Sequence, residues 1–100
     1  VYKRQSSKGA LNTMTKSMAR NLGPIRVNAI CPGFIQGDWL RKGMGDDLYN
    51  AAKENLTSTT PLKLTVTPEQ VAEGIYNFIE ISKVVTGETM LMDGGHHLIV

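Results

Sequence analysis

The first residues whose types and spacing suggest chemistry lie at the start of the chain. Ser7 and Lys8 stand next to each other, and Tyr2 lies six residues before Lys8. A tyrosine can serve as a proton donor, but a tyrosine pKa of about 10 needs a nearby cation to fall into a useful range. An ammonium group four residues along a helix lies on the same face and supplies that charge. Six residues instead turn Tyr2 roughly 240° about a continuous helix axis, away from Lys8.

These residues open a predicted helix that leads into a buried strand. Leu11, Met14, Met18 and Leu22 share one helical face, which predicts a helix over residues 6–22, capped by Ser6 or Ser7. Gly23 and Pro24 end the helix. The apolar run IRVNAIC, residues 25–31, then predicts a strand that is buried on both faces, as in a parallel sheet.

The second half of the chain repeats this alternation after an irregular lobe. Residues 34–60 are irregular, with a short helix near residues 47–56. Thr67, Pro68 and Gln70 are typical of a capped helix start and predict a helix over residues 68–81. We expect its buried stripe to consist of Val71, Ile75, Phe78 and Ile79. A strand over residues 89–92 then ends at Asp93-Gly94-Gly95, which we interpret as a structural turn.

Composition narrows the class of protein. The net charge of +2 is too small and too dispersed for nucleic-acid binding, and no apolar run is long enough to cross a membrane. Cys31 is the single cysteine, which fits a reducing, cytoplasmic location. Two short apolar strands cannot form a stable sheet alone. We therefore expect an α/β fold: the C-terminal portion of a doubly wound parallel sheet whose N-terminal half is missing.

In this order and spacing, four segments resemble the carboxy-terminal part of a short-chain dehydrogenase/reductase: SSKGALNTMTKSMARNL, IRVNAICPGFI, TPEQVAEGIYNFI and VTGETMLMDGG. The resemblance covers nearly the whole chain. It implies a partial Rossmann-type domain over residues 1–100, comprising the active-site helix, the Pro-Gly turn, the substrate-binding lobe and the last helix and strand. It also implies hydride transfer between NAD or NADP and a small alcohol or ketone, in a homo-oligomer, either a dimer or a tetramer.

The resemblance also assigns roles to individual residues. Lys8 matches the lysine that assists the catalytic tyrosine and binds the cofactor ribose. Pro32 and Gly33 match a turn against the nicotinamide, and the backbone near Ile35 would contact the carboxamide. Gly37 stands where the family often has threonine, so a hydroxyl contact to the cofactor is lost.

The position four residues before Lys8 holds Arg4 instead of the family's tyrosine. In one interpretation two residues have been inserted, and Tyr2 still reaches Lys8 because the helix begins only near Ser6 after a bulged turn. In the other, Arg4 replaces the tyrosine and carbonyl reduction is lost, since a guanidinium keeps its proton. We favour the insertion and predict Tyr2 and Lys8 as the catalytic pair.

Two further function hypotheses remain beside the enzyme. One is a non-catalytic relative that serves as a binding or oligomerisation module, and the other is an incomplete gene product. We expect no metal site, because adjacent His96 and His97 lack the spacing of ligands on a shared helical face. We interpret these histidines as part of a tail that touches a neighbouring subunit.

Overall fold

The computed structural model describes residues 2–99, and the side chains of residues 8–99. Helices and strands alternate along this part of the chain. The elements are α1 (Tyr2–Asn21), β1 (Ala29–Pro32), α2 (Asp38–Met44), α3 (Asp46–Thr59), α4 (Pro68–Tyr76) and β2 (Thr89–Met92). Helix α4 continues into a π-helical turn, Asn77–Ile81, and a 3-10 turn, His96–Leu98, follows β2.

The strands β1 and β2 pair side by side in parallel. The Ala29 N–H donates to the Glu88 carbonyl at 2.9 Å, and four residues later the Gly33 N–H donates to the Met92 carbonyl at 3.0 Å. Both strands thus advance in the same direction, which confirms the predicted α/β fold with a parallel sheet.

Strand β2 has its predicted bounds, but β1 is shorter than predicted. Residues 25–28 lie outside β1 because the side chain of Asn28 makes hydrogen bonds there in place of regular strand pairing. The Asn28 Nδ2 donates to the Val85 carbonyl at 3.0 Å, and the Glu88 N–H donates to Asn28 Oδ1 at 3.1 Å. The Asn28 side chain thus satisfies two backbone groups of the segment before β2 without regular strand pairing.

The chain divides into two compact units. The first contains the residues up to Cys31 together with Ile75–Met90, and the second contains Pro32–Gly74 and the residues from Leu91 onwards.

In the first unit, α1 buries a strip beside the face that its large apolar residues predict. Thr15 and Ala19 are buried, whereas Met14, Met18 and Leu22 are each more than two-fifths exposed. The reason is close packing: a Cβ built on Gly87 would lie 3.5 Å from the Ala19 Cβ, an approach that large side chains would prevent.

The ends of the helices follow local chemistry where the sequence provides it. The predicted capping box of α4 is confirmed, since the Thr67 N–H donates to Gln70 Oε1 and the Gln70 N–H donates to Thr67 Oγ1. Its predicted buried stripe is only partly correct: Val71 and Phe78 are half-buried, but Ile75 and Ile79 are about half exposed.

The second unit contains more helix than predicted. Helix α2 was not expected, and α3 is longer than the predicted 47–56. Gly37 and Gly45 flank α2 and have φ values of 152° and 85°. Residues with a side chain would be strained at these values, so the glycines fix where α2 begins and ends. The buried residues of this unit include Tyr49 on α3, Val66, Thr60 and Thr65.

Candidate functional site

The Pro32–Gly33 turn lies at the carboxyl end of β1, the edge of an open α/β sheet where ligands bind. Gly33 is required here on steric grounds. A Cβ built on it would lie 2.8 Å from the Asp93 Cβ and 3.1 Å from the Asp93 Cα, so another residue would force the turn away from its neighbour. The glycine therefore sets how closely the chain after β1 approaches the chain after β2.

The next residues, here called the post-strand segment (residues 32–37), present an unused pair of backbone groups at Ile35. The Gln36 N–H donates to the Val66 carbonyl at 2.7 Å, and the Val66 N–H donates to the Phe34 carbonyl at 3.0 Å, which makes a parallel bridge. In such a bridge the N–H and carbonyl of Ile35 itself point away from Val66. Neither has a hydrogen-bond partner in the described part of the chain. A donor and an acceptor so close together match a carboxamide.

The predicted catalytic residues lie in the first unit. The Lys8 side chain is exposed, whereas the side chains of Tyr2, Arg4 and Ser7 lie outside the described residues. The backbone of α1 is helical from Tyr2, so the bulged turn predicted ahead of Ser6 is wrong. On this helical backbone, Tyr2 and Lys8 start from different faces.

The structure places Pro32, Gly33 and Ile35 together in the second unit and adds contacts of Gln36 and Gly37 that the sequence did not predict. Gln36 Nε2 donates to Thr65 Oγ1 at 2.7 Å, and the Gly37 N–H donates to the Tyr49 hydroxyl at 3.0 Å. These contacts fix the end of the post-strand segment. No local pattern links Gly37 with Tyr49, because the contact depends on how α2 and α3 fold back.

A carboxylate and an imidazole form a pair just after β2. Asp93 is buried and lies 2.8 Å from His97 Nδ1, and it also accepts the N–H groups of Gly95 and His97, each at 3.0 Å. Burial alone would raise the pKa of Asp93, but the hydrogen bonds from His97 and from the two backbone N–H groups outweigh it and lower the pKa below its ordinary value of 3.8.

This pairing confirms that Asp93-Gly94-Gly95 is a structural turn, and it shows that His97 bonds to Asp93 of its own chain. Contact of this tail with a neighbouring subunit stays a prediction. An aspartate followed two residues later by glycine is the sequence signal for such a turn. Among the described residues, no three His, Cys, Asp or Glu side chains lie close enough together to hold a metal ion. Among the described residues, no helix is both long enough and apolar enough to cross a membrane.

Comparison with known proteins gives a consistent result. The family model described as enoyl-(acyl carrier protein) reductase matches residues 4–97. The chain is 34% identical over 96 residues to the NADH-dependent enoyl-(acyl-carrier-protein) reductase FabI of Bacillus cereus, covering 93% of this chain and 36% of that protein. It is 36% identical over 93 residues to the 3-oxoacyl-(acyl-carrier-protein) reductase FabG of Rickettsia bellii, covering 90% of this chain and 36% of that protein.

The fold agrees with the sequence comparison. The crystal structure of a small-chain dehydrogenase in complex with NADPH superposes with a TM-score of 0.80 at 33% identity, over 90% of this chain and 40% of that one. The chain thus spans about a third of the length of the curated relatives that it matches. With a family model matched over residues 4–97 and a shared fold, the chain belongs to the short-chain dehydrogenase/reductase family.

Proposed function

We propose that this chain supplies part of the active site of an oxidoreductase that transfers hydride between NAD or NADP and a small alcohol or ketone. The single observation that supports this best is that the N–H and carbonyl of Ile35, beside the Pro32–Gly33 turn, have no partner among the described residues. A nicotinamide carboxamide has one acceptor and one donor to match them. The relatives differ in the substrates that their names record, so the substrate class stays as broad as an alcohol or a ketone.

Lys8 and Tyr2 are the proposed catalytic pair, with Lys8 also binding the cofactor ribose. Lys8 is exposed and free to reach a ligand. Because α1 is helical from Tyr2, the phenol reaches Lys8 only if the first turn of the helix rearranges. We therefore expect turnover to be lower than in a protein with the four-residue spacing.

The test uses a chimeric reductase, in which this chain replaces the matching 93 residues of the Rickettsia bellii reductase. Oxidation of NADH or NADPH by a 3-oxoacyl thioester is followed by absorbance. Tyr2→Phe should lower kcat by roughly 100-fold or more, the usual effect of losing a general acid, with cofactor binding retained. Lys8→Ala should lower kcat and also weaken cofactor binding. Tyr76→Phe, at an exposed tyrosine, is the matched control and should change neither.

Arg4→Tyr in the Tyr2→Phe background restores a tyrosine four residues before Lys8 and should raise turnover above that of the parent. Deletion of Arg4 and Gln5 should do the same with Tyr2 itself. If Tyr2→Phe turns over substrate as fast as the parent, Tyr2 is not the proton donor.

A non-catalytic binding or oligomerisation module is the second candidate, and the helical backbone at Tyr2 is the observation in its favour. A six-residue offset on a continuous helix separates the phenol from the lysine. This candidate is correct if the parent and the Arg4–Gln5 deletion both bind cofactor but neither turns over any substrate.

We further propose that the protein acts in the cytoplasm as a homo-oligomer. A reducing compartment fits the free thiol of Cys31.

Leu98 and Ile99 are 72% and 50% exposed after β2, which fits burial against a second subunit. Light scattering on the chimeric reductase without residues 98–100 should show a smaller assembly, and an unchanged mass would contradict the proposal.

A further inference from the structure

Tyr49 connects three elements of the second unit through one side chain. It lies on α3 and is only 2% exposed. Its ring lies 5.2 Å from the Phe34 ring between centroids, and the Arg41 guanidinium of α2 lies 4.9 Å from its centre. Its hydroxyl accepts the Gly37 N–H at 3.0 Å. The post-strand segment, α2 and α3 therefore meet at this one residue.

The ring contacts do not explain why this residue is a tyrosine. Phenylalanine would fill the same space against Phe34 and Arg41 without carrying a polar group into a buried position, where such a group needs a partner. The partner here is the Gly37 N–H, and its direction depends on a φ of 152° that glycine adopts without strain. The hydroxyl of Tyr49 and the glycine at position 37 thus act together.

The Tyr49 hydroxyl holds the end of the post-strand segment through the Gly37 N–H, while the Gly37 carbonyl accepts the Arg41 N–H at 3.1 Å. At the start, the Gly33 N–H bonds to the Met92 carbonyl, and in the middle, Phe34 and Gln36 bond to Val66. Both of these anchors join backbone to backbone. At the end, the Gly37 N–H bonds to a side chain, so this anchor is removed by a single change of residue.

We propose that the Tyr49 hydroxyl is a positioning group for the nicotinamide cofactor. It fixes the post-strand segment so that the N–H and carbonyl of Ile35 stay aimed at the carboxamide. This inference rests on the proposed function, in which Ile35 binds the cofactor. Tyr49 is buried and acts through the backbone of Gly37, so it is a positioning residue and makes no contact with the reacting atoms.

The test compares Tyr49→Phe, which removes only the hydroxyl, with Tyr76→Phe in the chimeric reductase. The dissociation constant of NADH or NADPH, measured by the fluorescence of the reduced cofactor, should rise about tenfold in Tyr49→Phe, the effect of one hydrogen bond. The value of kcat at saturating cofactor should change less than twofold. Hydrogen exchange at the Gly37 amide of the cofactor-free protein should be faster, while Tyr76→Phe should match the parent in all three measurements.

A second variant covers the case in which Tyr49→Phe does not fold. Gly37→Ala keeps the phenol but disfavours the φ of 152°, and it should weaken cofactor binding to a similar extent. If Gly37 exchanges faster in Tyr49→Phe while cofactor affinity stays within twofold of the parent, the hydroxyl has a structural role only and the inference is wrong. A parent that binds neither dinucleotide overturns the proposed function, and the cofactor role of Tyr49 with it.

Discussion

Gly33 occupies a position where a single methyl group would clash with a neighbouring segment. The chain after β2 comes so close that a Cβ on residue 33 would overlap Asp93. The family resemblance implies that this turn lies against the nicotinamide, where a glycine lets the backbone come close to a flat ring. The structure adds a cause that is independent of any ligand, since the two segments at the sheet edge would have to separate to admit a side chain.

Gly33→Ala should therefore destabilise the chimeric reductase by about 1–3 kcal/mol, the usual cost of overpacking. Gly43→Ala is the matched control in the same unit, because a Cβ there meets no described atom within 4 Å. It should stabilise the protein by about 0.5–1 kcal/mol, since alanine favours a helix over glycine. Urea unfolding measures both variants, and equal free energies of unfolding would contradict the steric argument.

Asp93, at the same edge of the sheet, makes the stability of the folded chain depend on pH. Its pKa in the folded chain lies below the ordinary value of 3.8, so below pH 3.8 the unfolded chain binds more protons than the folded one. The stabilisation from the carboxylate is therefore fully present above pH 3.8 and is lost as the pH falls through the lower, folded value.

Asp93→Asn should cost about 1–2 kcal/mol at pH 7, because hydrogen bonds to a charged group are lost. The difference from the parent should shrink as the pH is lowered below 3.8. Unfolding free energies between pH 7 and pH 3 measure this. Glu73→Gln, at an exposed position on α4, should show no such loss, and a difference for Asp93→Asn that is constant with pH would contradict the linkage.

At the scale of elements, the start of α4 could be predicted because its capping residues are close together in the sequence. Thr67 and Gln70 are three residues apart, and their reciprocal hydrogen bonds form as the sequence predicts. The face that α1 buries could not be predicted in this way, because it depends on a distant glycine, Gly87, that admits only small side chains. The contact between Gly37 and Tyr49 in the candidate site was missed for the same reason.

Arg26 is a further example of a role decided by distant partners. Its position in an apolar run predicts a strand, but its guanidinium donates to the carbonyls of Phe78 at 2.6 Å, Ile79 at 3.0 Å and Ser82 at 3.1 Å. These carbonyls close the π-helical turn after α4. A planar, permanently charged group satisfies several such acceptors at the negative end of a helix.

Arg26→Lys should destabilise the chimeric reductase by about 1–2 kcal/mol, because a single ammonium group cannot reach the three carbonyls in the same geometry. Arg20→Lys, at an exposed position in the last turn of α1, keeps the charge and should change the stability by less than about 0.5 kcal/mol. Thermal unfolding compares the two variants. Equal melting temperatures would show that the guanidinium geometry contributes nothing.

At the scale of the whole molecule, large apolar side chains stay exposed in both units. Met14 is 53% exposed and Val84 99% exposed in the first unit, and Trp39 is 87% and Leu62 67% exposed in the second. The two strands form a sheet with no further partner in the described chain. Burial of apolar surface is the main favourable term in folding, and an uncovered two-stranded sheet is marginal in water.

The 100-residue chain alone should therefore be unstable or prone to aggregation, and it should lack a cooperative unfolding transition in urea. A folded domain of this size would show a single transition with a slope of roughly 1–3 kcal/mol per molar urea. Circular dichroism during urea titration, with light scattering on the same samples, makes the measurement. The chimeric reductase is the control, because we expect the upstream part of the relative to cover these surfaces and restore one cooperative transition. A soluble monomer of the isolated chain that unfolds cooperatively would show that the strands and helices described here suffice for a stable core.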